Sequence, residues 1–246
     1  MTNTVLQTNA TPIYAFLSFI EAKKSSGELG EGQIKILDCG AGGPVPPLAL
    51  FSEYGYEAYG IDISDKQIEA AREYCKQKGT QIDIRKADMR QLPFSDGNFD
   101  CVYEHFSMCH LSKKETATAI NEMHRVTKSK GLCFLGVISM DSWPKSLYGE
   151  ENEPGEYWAG EGDNRGRHSM FTDQEADALV KDWEILSKEK RVLYLRTSAE
   201  QITEDAWMEM YSGPDAGCTE DDWKNQYNQR ANMVNYSHIY YILKKK

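Results

Sequence analysis

Short apolar stretches alternate with longer segments in which apolar residues recur at every third or fourth position. The stretches lie at residues 34–39, 56–61, 82–84, 99–103 and 132–138. Short apolar runs indicate buried strands, and the spacing of three and four indicates amphipathic helices between them. The stretch 132–138 is apolar almost throughout, which is typical of a strand buried on both faces. This alternation predicts an α/β fold, a parallel sheet with helices on both faces.

Helix starts are marked by three capping boxes. In such a box, a hydroxyl side chain and a carboxyl or amide side chain three residues later bond each other's free backbone N–H groups. The pairs are Ser64 with Gln67, Ser112 with Glu115, and Thr172 with Glu175. Apolar residues follow each box at helical spacing, so each box predicts the first turn of an amphipathic helix. A further helix is predicted from Thr11 to about Gly27.

The alternation fails in two later segments. Residues 140–167 are rich in glycine, glutamate, tyrosine and tryptophan, and we predict a long irregular loop there. Residues 197–235 are polar and acidic, and we expect two helices in them. Apolar stretches at 184–195 and 237–243 predict two closing strands at an antiparallel edge of the sheet.

We predict a single domain over residues 1–246, because no repeat, low-complexity tract or linker divides the chain. Its core is expected at about 30–139, 168–196 and 236–246. Residues 140–167 and 197–235 are then two inserts.

Groups suited to ligand binding follow the first three predicted strands. They are Gly40-Ala41-Gly42, Asp62, and Asp88-Met89. Parallel sheets bind ligands at this edge, where a glycine turn lets the backbone approach the ligand. An acid about 20 residues after the glycines can accept bonds from both ribose hydroxyls. Asp88 can accept a bond from an exocyclic amine, and Met89 can lie on an aromatic base. Any one of these acids alone could be a solvated loop carboxylate, but together they predict an adenosine site.

The chain resembles class I S-adenosylmethionine-dependent methyltransferases, the broad group that includes the ubiquinone and menaquinone biosynthesis methyltransferases. The resemblance covers about residues 34–138. The matching motifs are Leu37-Asp38-Cys39-Gly40-Ala41-Gly42, Asp62, Ala87-Asp88-Met89, Leu92-Pro93-Phe94 with Phe99-Asp100, and Lys130-Gly131-Leu132 after a helix. One departure is Pro44, which stands where the family commonly has a third glycine; Gly43 beside it can compensate.

The resemblance implies a Rossmann-like doubly wound sheet of seven strands, mostly parallel with an antiparallel last strand. It implies S-adenosylmethionine as cofactor. The implied binding residues are Asp38, Gly40, Ala41, Gly42, Asp62, Ile63, Asp88, Met89 and Glu104. Within this set, Asp38 is expected to position the methionine amino end through Gly40 and the backbone near Glu104.

Methyl transfer from a sulfonium is an in-line displacement, and holding donor and acceptor in line can supply roughly 7–11 kcal/mol. A general base adds a smaller factor of about 10²–10⁴. His105 and His110, just after the fourth strand, are the candidate catalytic bases. Each could instead be a histidine bonded to nearby backbone, and family members without a catalytic base also carry a pair like His110-Leu111. The predicted function is methyl transfer to a small-molecule acceptor.

The two inserts are expected at the mouth of the pocket, where they could form an acceptor lid. Their aromatic side chains could cap the acceptor, or could simply pack the inserts onto the sheet. These side chains are Tyr148, Tyr157, Trp158, Trp207, Tyr211 and Trp223. No Asn-Pro-Pro-Tyr motif follows the fourth strand, so the resemblance points away from methylation of nucleobase or glutamine amides.

Two other functions stay open. A non-catalytic protein that binds S-adenosylmethionine or S-adenosylhomocysteine would show the same motifs. A nicotinamide oxidoreductase is the third possibility. It usually has an apolar residue where Asp38 stands, and the third glycine of its G-x-G-x-x-G pattern would fall on Val45.

Composition and charge mainly argue against certain classes of partner and location. A formal charge of −10 argues against a nucleic-acid partner held by its phosphates. No run of about 18 apolar residues predicts a membrane span, and the first residues do not resemble a secretory signal. The six cysteines are scattered without a C-x-x-C pair, which favours free thiols and a cytoplasmic location. No metal-ligand cluster is seen, and the oligomeric state stays open.

Overall fold

The computed structural model of the chain describes residues 11–30, 32–159, 166–194, 203–211, 219–229 and 235–246. Its helices are α1 (Thr11–Ser25), α2 (Leu48–Glu53), α3 (Asp65–Lys78), α4 (Lys113–Val126), α5 (Asp173–Leu179), α6 (Glu204–Tyr211) and α7 (Glu220–Gln229). Its strands are β1 (Lys35–Cys39), β2 (Glu57–Asp62), β3 (Asp83–Lys86), β4 (Phe99–Tyr103), β5 (Thr127–Ser139), β6 (Glu150–Glu153), β7 (Glu156–Ala159), β8 (Gly166–Phe171), β9 (Trp183–Tyr194) and β10 (Asn235–Lys245).

The central sheet has the order β3-β2-β1-β4-β5-β10-β9. Neighbours from β3 to β5 are parallel. β10 runs antiparallel to both β5 and β9. The predicted Rossmann-like sheet of seven strands, with an antiparallel last strand, is therefore confirmed. The strand order reverses beside β1, and ligands of open α/β sheets bind at such a point.

The side chains of β1 alternate between two hydrophobic layers, as the two-residue period of a strand requires. Leu37 and Cys39 pack in the layer that contains Ile120 of α4. Ile36 packs in the opposite layer, which contains Phe16 of α1. These side chains of β1, α1 and α4 are all buried. Burying a large apolar side chain stabilises a fold by roughly 1.5–3 kcal/mol. The two layers hold the strand ends, and the loops that follow them, in a fixed arrangement.

The loop expected over residues 140–167 was predicted wrongly in its described part. It contains β6 and β7, which pair antiparallel, and it leads into β8. The turn between β6 and β7 contains Pro154 and Gly155, and Gly155 has a φ of +76°. A Pro-Gly pair marks a tight turn because glycine adopts positive φ without strain. This signal was present in the sequence, but the acidic residues of β6 concealed the strand.

The end of β8 pairs in parallel with the end of β5, through Met170 with Ile138 and Phe171 with Ser139. β5 extends beyond the last residue of β4, so the β6–β8 sheet adds to the central sheet past the end of β4. This places the first insert at the carboxyl edge of the central sheet.

Helix boundaries largely follow the predicted capping boxes. The boxes at Ser112 and Thr172 are complete. At Ser64 the hydroxyl accepts a bond from the Gln67 N–H at 3.4 Å. α5 ends at Leu179, earlier than its apolar pattern suggested, because Trp183 already begins β9. Among the described residues, no helix has the length and apolar character needed to cross a membrane.

Candidate functional site

A cavity of about 670 Å³ lies at the carboxyl ends of the parallel strands. Six of the predicted cofactor residues line it: Gly40, Gly42, Asp62, Ile63, Asp88 and Met89. The loops after β1, β2 and β3 therefore bring these residues together, as the sequence predicts. Asp38, Ala41 and Glu104 are buried outside the cavity lining.

The glycine loop after β1 leaves no room for side chains. Gly40 has a φ of +114°, and a Cβ there would lie 2.0 Å from the Ser107 Oγ. A Cβ on Gly42 would lie 2.4 Å from Asp62 Oδ2. Positive φ favours glycine, and neither contact could be relieved without moving the loop. The loop thus presents its backbone to the cavity.

Pro44 does not close the loop. Gly43, directly before it, takes a φ of +115°, and its N–H donates to the Gln67 carbonyl at 2.9 Å. The backbone turns at Gly43, and the chain then enters α2 through Pro47 at the N-cap. Because Gly43 supplies the positive φ, the departure from the family pattern at Pro44 is accommodated locally.

Asp62 joins the glycine loop to the loop after β2. Its Oδ2 accepts a bond from the Gly42 N–H at 2.9 Å, and its Oδ1 accepts one from the Ser64 N–H at 2.8 Å. A carboxylate has about four lone-pair sites, so each oxygen can accept once more. Ile63 beside it is 66% exposed within the cavity wall. An exposed apolar side chain at this position can cover a flat ligand.

Asp88 is not a free carboxylate, because it is paired with Arg90. Its Oδ1 accepts bonds from the Arg90 backbone N–H at 2.8 Å and from the Arg90 Nε at 2.9 Å. These bonds lower the pKa of the Asp88 carboxyl. A ligand amine at Asp88 therefore competes with the Arg90 guanidinium. Sequence reasoning missed Arg90, since a charge two residues after Asp88 has no distinguishing pattern.

Asp38 and Glu104 are buried behind the cavity. Both oxygens of the Asp38 carboxyl, and the Tyr103 hydroxyl, lack a hydrogen bond of normal geometry. Burial raises the pKa of Asp38 to about 8, and the nearby Tyr103 hydroxyl offsets part of this rise. The proposed role of Asp38 toward a ligand therefore has to act through the Gly40 loop.

Glu104 has a structural role after β4. Its Oε1 accepts a bond from the Gly136 N–H at 2.9 Å, and its Oε2 accepts bonds from Ser107 and Met108 at 3.3 and 3.1 Å. Burial raises its pKa to about 7, although these N–H groups oppose the rise. The Glu104 carboxyl thus stabilises the loop after β4, which forms one wall of the cavity.

The two candidate bases are placed differently. His110 ends a 3₁₀ turn, Met108–His110, and lines the cavity. Its Nδ1 lies 2.9 Å from the carbonyl oxygen of Arg167. A carbonyl only accepts, so Nδ1 carries a proton; in the neutral form of such a ring, the lone pair is on Nε2. His105 is outside the cavity lining, and its ring packs 4.4 Å from that of Phe106.

The first insert contributes to the cavity. Trp158, Gly166 and Arg167 line it, and the Arg167 guanidinium lies 4.7 Å from the centroid of the Trp158 ring. Among the other predicted aromatics, Tyr148, Tyr157 and Trp207 are buried and pack within the protein. The side chains of Tyr211 and Trp223 fall outside the described part of the structure.

Residues 37–135 match the protein family described as a methyltransferase domain. The match covers 99 of the 246 residues, from β1 to β5. The fold of this chain agrees with that match: a solved S-adenosylmethionine-dependent methyltransferase from Methanosarcina mazei superimposes with a TM-score of 0.60. That structure is 19% identical to this chain. The superposition covers 90% of this chain and 96% of that structure. At 19% identity, this similarity shows the fold alone.

Two curated methyltransferases are similar to part of this chain. Sterol 24-C-methyltransferase from Pneumocystis carinii is 28% identical over 158 residues, which make up 62% of this chain and 40% of that protein. Demethylmenaquinone methyltransferase from Geobacillus kaustophilus is 29% identical over 94 residues, 38% of either chain. The chain thus spans less than half the length of these relatives.

S-adenosylmethionine is the methyl donor that this methyltransferase domain implies. The residues present fit such a ligand. Gly40 and Gly42 line the cavity without a side chain, because a Cβ there would collide with Ser107 or Asp62. Asp62 retains lone pairs for two hydroxyls. Behind the loop, the buried carboxyl of Asp38 lacks a hydrogen bond. In the described ranges, no three His, Cys, Asp or Glu side chains are grouped to hold a metal ion.

Proposed function

We propose that this protein transfers a methyl group from S-adenosylmethionine to a small-molecule acceptor. The observation that supports this most is that the glycine loop, Asp62 and His110 line one cavity. The sterol and quinone-precursor activities in the relatives' names favour a small organic acceptor.

Each cavity wall has a proposed task toward the donor. The backbone of Gly40 and Gly42 would hold its methionine end, and Asp62 would accept bonds from its ribose hydroxyls. Ile63 and Met89 would cover the adenine, and Asp88 would accept a bond from its amine in competition with Arg90. Asp38, Ala41 and Glu104 would support this wall from behind. S-adenosylmethionine supplies a methyl group already activated on a sulfonium.

His110 is the proposed general base. Its Nε2 would take a proton from the acceptor, and its Nδ1–H stays bonded to the Arg167 carbonyl. We prefer His110 to His105, because only His110 of the two lines the cavity. Replacing His110 with Gln is expected to lower turnover by about 10²–10⁴-fold and to leave donor affinity unchanged. His124→Gln is the control, since His124 lies on α4 outside the cavity lining.

The first insert is proposed as the acceptor-facing wall, because Trp158, Gly166 and Arg167 line the cavity. We propose the same lid role for residues 197–235. A chain in which residues 197–235 are replaced by a short linker should fold and bind the donor but lose acceptor turnover. Unchanged turnover in the folded deletion variant would remove the second insert from the lid.

The setting we infer is cytoplasmic, with residues 1–246 acting as one domain and without a nucleic-acid partner. Cys39, Cys75, Cys101, Cys109 and Cys133 are all free and buried. Free thiols are typical of a reducing compartment, and the net charge of −10 disfavours binding to phosphates.

The test is methyl transfer to a panel of sterols, quinone precursors and phenols, with S-adenosylhomocysteine formation as the readout. We expect this product to form only when a suitable acceptor is present. Binding of S-adenosylmethionine without turnover across the panel would contradict the proposal and would indicate a non-catalytic binding protein.

A further inference from the structure

Arg167 approaches the cavity with both its backbone and its side chain. Its carbonyl oxygen accepts the bond from the His110 Nδ1–H, 2.9 Å away. In its guanidinium, Nη1 lies 3.1 Å from Glu115 Oε2 and Nε lies 3.8 Å from Glu156 Oε2. The ring of Trp158 packs 4.7 Å from the same guanidinium.

The Arg167 guanidinium thus has three contact partners: two carboxylates and one aromatic ring. Glu156 is buried, and its Oε1 accepts a bond from the Lys113 backbone N–H at 2.7 Å, so its position is fixed by the start of α4. A planar guanidinium that pairs with carboxylates and stacks on an aromatic ring loses little freedom per bond, unlike a lysine ammonium. The side-chain contacts add to the pairing of Arg167 with Trp158 between β8 and β7, and together they hold the Arg167 carbonyl beside His110.

Glu115 extends this arrangement to the cofactor side of the cavity. Its Oε2 accepts bonds from the Ser112 N–H at 2.9 Å and from the Ser112 Oγ at 2.8 Å. Its Oε1 pairs with the Arg90 guanidinium, which also pairs with Asp88. The ion pairs thus run without a break from Asp88, at the proposed adenine end, to Arg167 beside His110.

We propose that Arg167 is a positioning residue that fixes the tautomer and orientation of His110. The inference rests on the proposed function, because it concerns the base of that reaction. The Arg167 carbonyl accepts a hydrogen bond from the Nδ1–H, so Nε2 is the nitrogen left to act as base toward the acceptor. Glu115 and Arg90 link this arrangement to Asp88, so the donor site and the base share one network of charges.

The charged and titratable groups near His110 come from four elements and the loops beside them. The ring of His168 lies 5.3 Å away on β8, and burial lowers the pKa of His168. Arg90 and Arg167 are balanced by Asp88, Glu115 and Glu156. No acid bonds the His110 ring among the described residues, so its partner on Nδ1 is a neutral carbonyl.

The test reads the tautomer directly. Long-range proton–nitrogen NMR spectra of protein labelled in its histidines distinguish the Nδ1–H form from the Nε2–H form. The His110→Gln spectrum identifies which of the five histidine signals belongs to His110. We expect the Nδ1–H form in the wild type and a mixture of both tautomers in Arg167→Ala. Arg167→Lys should lie between them, because an ammonium keeps only part of the contacts.

Turnover provides the second readout. At saturating donor, Arg167→Ala should lower kcat by about tenfold or more, since small misplacements of a catalytic group are costly. Glu115→Gln should act in the same direction, and it serves if Arg167→Ala does not fold. Arg191→Ala is the matched control, because Arg191 pairs with Glu189 on β9 outside the cavity lining.

The two proposals fail in different ways. An Nε2–H form of His110 in the wild type, or an unchanged tautomer in Arg167→Ala, would overturn the positioning role whatever the activity. A shifted tautomer in a protein that turns over no acceptor would support the positioning role and contradict the proposed function.

Discussion

Single residues decide whether the cavity can accept a ligand, and Gly42 shows this most clearly. Its N–H donates to Asp62 Oδ2, and a Cβ at its position would lie 2.4 Å from that same oxygen. The glycine is therefore needed for the contact between two loops, in addition to any approach to a ligand. The sequence predicted this glycine and this acid, because their spacing matches a known geometry. It did not predict that they bond each other.

Gly42→Ala should weaken donor binding by at least tenfold, or about 1.4 kcal/mol, because the added methyl group displaces Asp62. Gly32→Ala is the matched control, since nothing lies within 4 Å of a Cβ there. Calorimetric titration measures both affinities. Equal affinity in Gly42→Ala and Gly32→Ala would show that the loop yields to the methyl group.

Asp38→Asn should flatten the pH dependence of stability. The pKa of Asp38 is about 8 in the folded protein, against about 3.9 for an unperturbed aspartate. Between these values the folded protein binds more protons than the unfolded chain, so the free energy of unfolding falls as pH rises. An asparagine does not titrate, so the contribution of residue 38 to the fall in the free energy of unfolding is absent in Asp38→Asn.

Denaturant unfolding at about pH 5 and pH 8 measures this difference. We expect the wild type to lose more stability across the interval than Asp38→Asn. Asp182→Asn is the control, because Asp182 is exposed. Equal losses in wild type and Asp38→Asn would contradict a buried, protonated Asp38.

At the scale of elements, a helix or strand could be predicted from sequence when nearby residues alone determine it. The apolar runs of β1, β4 and β5 and the capping boxes of α4 and α5 are visible in the sequence, because each element meets its own local rule. β6 consists of three glutamates and one asparagine, all exposed, and it is a strand only because β7 pairs with it. The pairing of Arg90, Glu115 and Arg167 likewise joins residues far apart in the sequence, so no local pattern could indicate it.

Thr172→Ala tests one of these local rules. Thr172 bonds the Glu175 N–H at 3.2 Å, and the Glu175 carboxylate bonds back to the Thr172 N–H at 2.8 Å. Losing the cap should lower the free energy of unfolding by about 1 kcal/mol and leave donor affinity unchanged. Thr118→Ala removes an exposed hydroxyl from α4 as a control. A cost no larger than that of Thr118→Ala would mean that the cap of α5 contributes nothing measurable.

At the scale of the whole molecule, two parts of the chain that are far apart in sequence form the cavity. The central sheet provides the donor side through the loops after β1, β2 and β3. The first insert provides Trp158 and Arg167 on the other side. The prediction of a donor site succeeded because residues 34–138 contain its parts in order. The insert could not be assigned from sequence, since its place beside β5 follows from two residue pairs between β8 and β5, just after the insert.

The measurement that tests the central claim most directly is calorimetric titration of S-adenosylmethionine, S-adenosylhomocysteine and NAD into the wild type and Asp62→Ala. We predict affinity on the order of micromolar for both sulfur ligands in the wild type, and no binding of NAD. We predict a loss of at least tenfold in Asp62→Ala, with a thermal melt to show that this variant is folded. No heat with either sulfur ligand from the folded wild type, or equal affinity in Asp62→Ala, would contradict the donor site described above.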